Sequence, residues 1–537
     1  MHQRQNICLQ SLMKPEKKIY GLLLFIFGML FCIGCNQEAN RNTTKTDRKP
    51  KIEPDYTDVT IPPNIAPMNF RINEAGEYFK VTATSGSNGY QLNIKSSDGI
   101  IRFPEKSWRK LIRDSKGSKI TFEIFSAKTD KKTMEQYEPF IMSVAEEPID
   151  PYLAYRLIYP GYYNWSHIKI MQRSTESFKE EALIDNKILD MNCANCHSFN
   201  QYNPDKFMVH IRGSHGGTYF VDNGKITKRE PKIDAMPGGA TYPSWHPGGK
   251  FVAYSSNQVR QGFYSRPEKI IEVFDLVSAI VLFDLENNEI VHVRDRDTTR
   301  YLETFPSWSP DGKYLYFCRA PQNNSQTSMT LEEIKETKYD IVRIPFDQGT
   351  VTFGQTEIVF KASGIGKSAS FPRISPDGKY LVFTLHDFGT FPIWHQEADL
   401  YLLDLQSGAS KKMDLNSNQT ESYHSWSSNG KWLVFSSKRT DGRSTRPFFA
   451  YFESWEKTGK PFILPQKDPA YYDKLMESFN IPEFVKGEIR FGPRDFAKVS
   501  GSVSIKAKPR DPLDSLSRKD MEKANVKRNP GEKSIHE

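Results

Sequence analysis

The sequence has few cysteines and none of the motifs of the common hydrolases. Only 6 of its 537 residues are Cys, which excludes a small disulfide-stapled domain. Lys and Arg number 73 against 65 Asp and Glu, and no basic stripe argues for a nucleic-acid partner. No Ser-His-Asp order, paired-carboxylate signature or glycine-rich phosphate loop stands out, so little points to an enzyme.

Aromatic residues, in contrast, are abundant. The 8 Trp, 25 Tyr and 35 Phe make up 13% of the chain, which excludes a largely disordered protein and favours pleated strands. The length suits two or three domains. We therefore expect a mainly β protein.

The N-terminus predicts export. An apolar run at residues 19–34 follows three lysines and is shorter than the about 20 residues of a membrane-spanning helix. It ends in Gly34-Cys35, which resembles a bacterial lipobox, where the Cys after a small residue is lipidated and begins the mature protein. We expect a signal peptide over residues 1–34, a lipid anchor on Cys35 and a polar tether over residues 35–53. A plain cleaved signal or an uncleaved anchor is the alternative.

The resemblance also favours a lipoprotein that faces the periplasm over one exposed on the cell surface. Surface-exposed lipoproteins of Bacteroidetes carry an acidic cluster after the lipidated Cys, whereas here only Glu38 is acidic in that stretch. This implies a lipid-anchored protein of the outer membrane that faces the periplasm.

The first domain is predicted over residues 54–148. Short runs alternate apolar and polar residues and are separated by Ser-, Asn- and Gly-rich turns, as in a β-sandwich of immunoglobulin-like character. The spacing of Trp108, Leu111 and Ile112 predicts one short helix within it.

Residues 149–204 are predicted as a linker that carries a helix. Ser177 and Glu180 have the spacing of a capping box before the apolar positions Leu183, Ile184 and Ile188. This segment leads to a Cys-x-x-Cys-His motif.

An internal repeat follows the linker. Each copy begins with an aromatic residue, which is commonly followed by Pro-Ser-Trp. A turn of the Pro-Asp-Gly-Lys type comes next, and then a strand in which apolar and polar residues alternate. The glycines of the turns are 63, 66 and 52 residues apart, which is near or above the period of four-stranded propeller blades. The four copies begin at Tyr242, Phe305, Phe371 and Tyr423.

These repeats resemble the TolB-like, WD40-like (PD40) repeats of secreted bacterial proteins. The resemblance implies a β-propeller over residues 205–500, with six blades. Residues 207–228 are expected to form a degenerate first blade, and a segment after Lys486 to close the ring. The charged residues 501–537 are expected to be disordered.

The motif Cys193-Ala194-Asn195-Cys196-His197 is the attachment pattern of c-type haem. Two thiols at this spacing each form a thioether to a haem vinyl group, and the adjacent His presents its imidazole to the iron. Export agrees with this interpretation because c-type haem is attached outside the cytoplasm. We therefore expect one covalent haem, with Cys193 and Cys196 as attachment sites and His197 as the proximal ligand.

Other interpretations of the motif remain open. Cys193 and Cys196 are a pair that can oxidise to a disulfide in an exported protein. With His197 and either His210 or His215 they could hold zinc. A dithiol redox centre is less well supported, because no thioredoxin-like βαβ pattern surrounds them.

The sixth iron ligand has three candidates. Met208, His210 and Arg212 share one face of an alternating segment, so Met208 or His210 could bind the iron and Arg212 could contact a propionate. His215 is the third candidate ligand.

The lipobox, the haem motif, the TolB-like repeats and the later sequence at 478–484 together resemble a group of Bacteroidetes lipoproteins described as cytochrome c-related or TolB-like. The resemblance implies electron transfer or redox sensing, with the propeller as a docking platform for an unidentified protein of the envelope. The alternative function is a non-enzymatic propeller scaffold that binds a protein or glycan.

Overall fold

A computed structural model describes residues 42–128, 133–159, 167–266, 269–293, 301–322 and 330–510. The signal peptide and Cys35 lie outside these residues, as does most of the charged tail. The helices in the described ranges are all too short or too polar to span a membrane.

The N-terminal domain contains two sheets and one helix. Seven strands form one sheet, in which β8 pairs with β5, β9 and β10, and three short strands, β2, β4 and β7, form the other. The strands are β1 Asn42–Lys45, β2 Ile52–Glu53, β3 Thr60–Ile61, β4 Phe70–Ile72, β5 Tyr78–Ser85, β6 Gln91–Ser96, β7 Ile100–Ile101, β8 Lys119–Ala127, β9 Thr133–Gln136 and β10 Phe140–Val144.

The predicted short helix of this domain is confirmed as α1, Glu105–Asp114. Its buried residues are Trp108, Leu111 and Ile112, the apolar positions from which it was predicted. They lie in one core with Phe122 and Phe140, whose rings stack at 4.9 Å between centroids. The apolar stripe of the helix thus covers the sheet.

Six further sheets of four or five strands make up most of the remaining described residues, and each is one blade. Blade 1 contains β11 Tyr152–Ile158, β12 Lys169–Ser174, β13 Glu180–Asp185 and β35 Ser478–Val485; blade 2, β14 Ala194–Phe199, β15 Lys206–Ile211, β16 Gly217–Asp222, β17 Lys225–Glu230 and β36 Ile505–Lys506; blade 3, β18 Ala240–Trp245, β19 Phe251–Arg266, β20 Lys269–Asp284, β21 Glu289–His292 and β37 Lys508–Pro509. Blade 4 contains β22 Tyr301–Trp308, β23 Tyr314–Pro321, β24 Asp340–Asp347, β25 Thr352–Phe353 and β26 Glu357–Phe360; blade 5, β27 Ser368–Ile374, β28 Tyr380–His386, β29 Asp399–Asp404 and β30 Ser410–Lys412; blade 6, β31 Glu421–Trp426, β32 Trp432–Ser437, β33 Arg446–Tyr451 and β34 Phe462–Ile463.

The innermost strands of the blades form a closed ring. Each contacts the next in the cyclic order β35, β14, β18, β22, β27, β31 and back to β35. The other helices are short segments between or after the strands, namely α2 Leu331–Glu336, α3 Tyr471–Lys474 and α4 Pro493–Ser500, with 3-10 turns at Asn186–Ile188, Ser363–Ile365 and Pro392–Trp394. The mainly β fold and the six-bladed propeller are therefore confirmed.

The ring is closed by a strand from the C-terminal part of the chain. β35 pairs antiparallel with β11, from Tyr152 opposite Val485 to Ile158 opposite Ser478. The closing segment was expected after Lys486, but it lies just before that residue. Antiparallel pairing of the two ends of the propeller holds its first and last parts in one sheet.

The predicted linker over residues 149–204 is wrong, because this segment supplies blade 1 and the inner strand of blade 2. The helix expected from Ser177 is strand β13, which pairs with β12 in a register that places Glu180 opposite Arg173. Leu183 and Ile184 are buried in this pairing. Tertiary strand pairing here overrides the local capping-box pattern. The Cys-x-x-Cys-His motif, expected in a helical segment, runs into strand β14.

The start of the tail also differs from the prediction. Residues 505–506 and 508–509 form edge strands on blades 2 and 3, so the chain is ordered there. Parallel pairing with an exposed blade edge supplies the backbone hydrogen bonds that a free tail would make with water. Residues 511–537 lie outside the described ranges.

Closure of the ring generates a first prediction. Phe479 of β35 is fully buried, and its ring lies 4.7 Å from that of Tyr155 on β11. We expect Phe479→Ala to lower the free energy of unfolding by about 3–5 kcal/mol, measured by guanidinium denaturation. Met476→Ala, at a side chain that is 66% exposed, is the control and should change stability little. Equal effects of the two substitutions would show that β35 does not hold the ring together.

Candidate functional site: the axial cavity

Each inner strand of the propeller carries a β-bulge at the same place. At each bulge the pairing register shifts, and one residue other than glycine adopts a positive φ between 47° and 59°. A positive φ is strained for side chains of this size and is tolerated where surrounding structure enforces it. The six residues are Cys196, Tyr242, Phe305, Phe371, Tyr423 and Ile481.

The bulges show that the cysteine motif is itself a copy of the repeat. Cys196-His197-Ser198-Phe199 occupies the positions of Tyr242-Pro243-Ser244-Trp245 in the next blade. The tryptophans confirm the equivalence: Trp245 Nε1 donates to the Ser198 carbonyl at 3.1 Å, and Trp308 Nε1 donates to the Ser244 carbonyl at 3.2 Å. Residues 481–484 are the sixth copy. Both copies escaped the sequence analysis because Cys or Ile replaces the leading aromatic residue.

The bulged side chains meet at the propeller axis. The ring of Phe305 lies 4.6 Å from that of Tyr242 and 4.0 Å from that of Phe371, and Phe371 lies 5.0 Å from Tyr423. Together with Cys196 and Ile481 these rings line a cavity. A larger cavity is also lined by Tyr242, Tyr423, Cys196 and Ile481.

The larger cavity, here called the axial cavity, is apolar with a cationic component. Its volume is about 1140 Å³ including the solvent space of its open mouth. Among the described residues no carboxylate lines it. Its wall includes both cysteines of the motif, the cations Arg156, Arg212, Lys438 and Arg443, and a mainly apolar and aromatic set that contains Ile158, Tyr159, Ile168, Ile271, Val273, Phe391, Ile393 and Trp394.

Cys193 and Cys196 are free thiols in the wall of this cavity. The backbone N–H of Arg212 donates to the Cys193 carbonyl at 2.9 Å, so Arg212 lies beside the motif. Burial raises the pKa of Cys193, and the charges of Arg212 and Arg156 oppose that rise. The thiol form therefore predominates in the absence of a bound group.

His197 lies on the other side of the bulge. It lines the second, smaller cavity with Glu483, Arg373 and His424, and its Nε2 is 3.7 Å from Glu483 Oε2. Burial, reinforced by the charge of Arg156, lowers the pKa of His197 to about 3. A contact with the Ile481 backbone opposes this shift in part. The imidazole is therefore neutral.

The three candidates for a distal ligand do not line the axial cavity. The Met208 sulfur accepts a hydrogen bond from Tyr254 at 3.1 Å. His210 Nδ1 lies 3.0 Å from Thr218 Oγ1, and His215 Nε2 lies 2.7 Å from a carboxylate oxygen of Asp190. Each has a partner of its own within or beside blade 2, whereas Arg212 is brought to the cavity wall.

The residues of the axial cavity fit a haem in three respects but supply no iron ligand, because no His or Met lines it. Two thiols with the attachment spacing are in its wall, cations are available for propionates, and aromatic and aliphatic side chains can enclose a macrocycle. Sequence reasoning missed Arg156, Trp394, Lys438 and Arg443, which come from three other blades and carry no local motif. For the zinc interpretation, no group of three His, Cys, Asp or Glu side chains in the described ranges is arranged to hold a metal ion.

The fold and this cavity define a six-bladed β-propeller with a Cys-x-x-Cys pair in the wall of its axial cavity. No family model matches the chain, and no curated protein matches its sequence.

Several solved structures are weakly similar to the chain. Oligogalacturonate lyase from Vibrio parahaemolyticus is 10% identical, with a TM-score of 0.31 over 57% of this chain and 92% of that one. Kuenenia stuttgartiensis hydrazine synthase is 16% identical, with a TM-score of 0.29 over 49% of this chain and 64% of that one. A puromycin-hydrolysing peptidase from Mycobacterium tuberculosis is 11% identical, with a TM-score of 0.35 over 57% and 46%. The chain thus spans less than two thirds of the latter two, and its own strand order defines the propeller.

The contact between His197 and Glu483 generates a second prediction. Burial raises the pKa of Glu483 to about 8 from its usual 4.5, although the charge of Arg373 opposes the rise. Because the folded state favours the protonated acid, the contribution of Glu483 to stability should be lost as the pH rises from about 4.5 to about 8. The Glu483→Gln variant cannot ionise at this position, so the stability difference between it and the wild type should change over this range, as measured by urea midpoints at pH 5, 7 and 9.

The control for that experiment is Glu138→Gln, at an exposed residue of the N-terminal domain. It should keep the wild-type pH dependence. A constant stability difference between wild type and Glu483→Gln across the three pH values would contradict the raised pKa.

Proposed function

We propose that the protein carries one haem, bound through thioethers to Cys193 and Cys196 in the axial cavity, and acts in electron transfer or redox sensing. The observation that supports this function best is that both thiols of a haem-attachment motif line one apolar cavity with a cationic component. When bound, the haem supplies one-electron redox chemistry at its iron. No residue is proposed to be catalytic.

The residues of the chain would have separate tasks. The aromatic and aliphatic side chains of the cavity exclude water, which lowers the local dielectric and tunes redox behaviour. His197 is the iron ligand that the motif implies, and a neutral imidazole has the protonation state that ligation needs. Its side chain lines the smaller cavity and not the axial one. Met208, His210 and His215 stay candidates for the other axial position, and Arg212 stays a candidate for propionate binding.

The site would act from the cell envelope. Lipidation of Cys35 would tether the propeller to the membrane, with the periplasmic side of the outer membrane as its location. The propeller would then be a docking platform for a protein redox partner of the envelope. No nucleic-acid partner is proposed.

A non-enzymatic scaffold is the second candidate. One observation favours it: Cys196-His197-Ser198-Phe199 occupies the same blade positions as Tyr423-His424-Ser425-Trp426, and His424 has an ordinary structural contact, with Nε2 2.9 Å from the Val382 carbonyl oxygen. The Cys-His pair would then be a variant of the repeat. The propeller would bind a protein or glycan, and the thiols would form a disulfide or a zinc site.

A pyridine haemochrome assay separates the two functions. In a host competent for cytochrome c maturation, we expect about one c-type haem per chain. Cys193→Ser or Cys196→Ser should leave one thioether and shift the haemochrome band, and the double variant should lose the haem on acid–acetone extraction. Cys318→Ser, at a buried free cysteine of blade 4, is the control and should keep the wild-type band. A wild-type protein without any band would overturn the haem function.

The role of His197 has its own test. His197→Ala should shift the visible spectrum of the haem-loaded protein, because the substitution removes an axial ligand, while the far-UV circular dichroism of the propeller is retained. His424→Ala occupies the same position in blade 6 and is the matched control, expected to leave the haem spectrum unchanged. Identical spectra for wild type and His197→Ala would rule out ligation by His197.

A further inference from the structure

A second ring of side chains accompanies the bulged residues, at the position two residues after each of them. This position is Ser in four blades, Arg in blade 5 and Glu in blade 1. All six side chains line one further cavity, here called the polar cavity, with a volume of about 1140 Å³ including the solvent space of its open mouth. The six residues are Ser198, Ser244, Ser307, Arg373, Ser425 and Glu483. The repeat therefore directs a polar group from every blade into the same cavity.

The four serine hydroxyls of this ring are not used by the fold. They form no hydrogen bond within the described ranges, and Ser198 and Ser244 contact the neighbouring blade through their backbone carbonyls instead. The next serine of the repeat differs, because Ser309 Oγ donates to Asp311 at 2.6 Å and so fixes the turn. Since a hydroxyl can both donate and accept, the ring offers the polar cavity four groups that are ready for either role.

Arg373 and Glu483 replace serine on either side of Ser425. Their strands β27, β31 and β35 are consecutive in the ring, and the same three side chains also line the smaller cavity. The charge of Arg373 acts on Glu483, but Glu483 Oε2 has no hydrogen-bond partner in the described part of the chain. Arg373 Nη1 donates instead to the Pro372 carbonyl at 3.2 Å. A cation and a carboxyl group thus face one cavity without a hydrogen bond between them.

This combination of groups favours a ligand with several hydroxyls. The guanidinium only donates, the serine hydroxyl does both, and the Glu483 carboxyl oxygens accept. Glu483 Oε2 lacks a donor, which a ligand hydroxyl can supply and an oxyanion cannot. The C–H faces of a sugar ring also suit an aromatic wall, and ligand sites commonly join such a wall to a few polar groups. The tryptophans in the wall of the polar cavity are Trp245, Trp308 and Trp426.

We propose that the polar cavity binds a neutral saccharide, with Arg373, Ser425 and Glu483 as its hydrogen-bond partners. The ligand hydroxyls accept from Arg373, donate to Glu483 Oε2 and exchange a hydrogen bond with Ser425. The site goes beyond the haem function, because neither Cys193 nor Cys196 takes part in it. It also gives the glycan of the second candidate function a defined place in the propeller.

The test is a titration of the full-length chain with simple sugars. Glucose, galactose, mannose and N-acetylglucosamine are the probes, and binding is followed by tryptophan fluorescence, to which the three tryptophans of the cavity contribute, and by calorimetry. At least one sugar should give a saturable change, with a Kd of about 1 mM or tighter. Succinate and phosphate are titrated for comparison. No saturable change with any of the four sugars, or saturation by the anions alone, would overturn the proposal.

Two variants locate the contact. Ser425→Ala should weaken sugar binding about three- to tenfold, and Arg373→Gln about tenfold or more, because each removes a hydrogen-bond partner of the ligand. Ser425→Ala deletes a hydroxyl that the fold does not use, so it should fold as the wild type does. Ser410→Ala, at an exposed serine on the outer strand of blade 5, is the matched control. Wild-type affinity in Ser425→Ala and Arg373→Gln, or an equal loss in Ser410→Ala, would contradict the assignment.

A cysteine variant separates this site from the haem function. The double variant Cys193→Ser, Cys196→Ser should bind the sugar with wild-type affinity, because the polar cavity is lined by neither cysteine. Loss of sugar binding in this variant would contradict a separate site. If the exported protein contains no haem but binds the sugar through Ser425, the haem function fails and the saccharide site stands. Attached haem without sugar binding is the opposite result.

Discussion

The pairing of β35 with β11 is the constraint on which the rest of the structure depends. A blade buries its faces only against its neighbours, so an open row of six would leave two apolar faces in water. One strand from the C-terminal part of the chain completes the first blade and thereby joins the two ends. The same strand brings Ile481 to the axis beside Cys196. Closure of the ring and construction of the cavity are therefore one event.

The β-bulges bring side chains from the six inner strands together at the axis, where they form the site. Regular strand pairing would direct side chains towards neighbouring blades, as the alternation of faces requires. A positive φ at one position of each inner strand instead places six side chains at the axis, where aromatic contacts as short as 4.0 Å between ring centres compensate the strain. Blade 2 differs in presenting a thiol at this position. The chemistry of the site is thus a local substitution in a repeated structural element.

Sequence patterns predicted the repeated parts of the molecule and missed its variations. The copies at Tyr242, Phe305, Phe371 and Tyr423 were visible because each keeps an aromatic residue and a turn whose glycine has a positive φ. The copies at Cys196 and Ile481 lack the aromatic residue, and the segment around Ser177 has a capping-box pattern that strand pairing overrides. Local patterns fail where strand pairing decides a segment's conformation, whether the partner is the preceding strand, as for β13, or is distant in the sequence, as for β35.

Sequence alone was enough to select Cys193, Cys196 and His197. Haem attachment requires residues three and four positions apart, and such a spacing is a property of the chain. The sequence by itself also determined that the protein is a β-rich repeat protein with one chemically distinctive motif. Only the tertiary structure decided that both thiols line one cavity, that His197 lines another, and that Lys438 and Arg443 line the cavity of the thiols. These relations depend on which blades meet around the axis, and that arrangement exists only once the ring has closed.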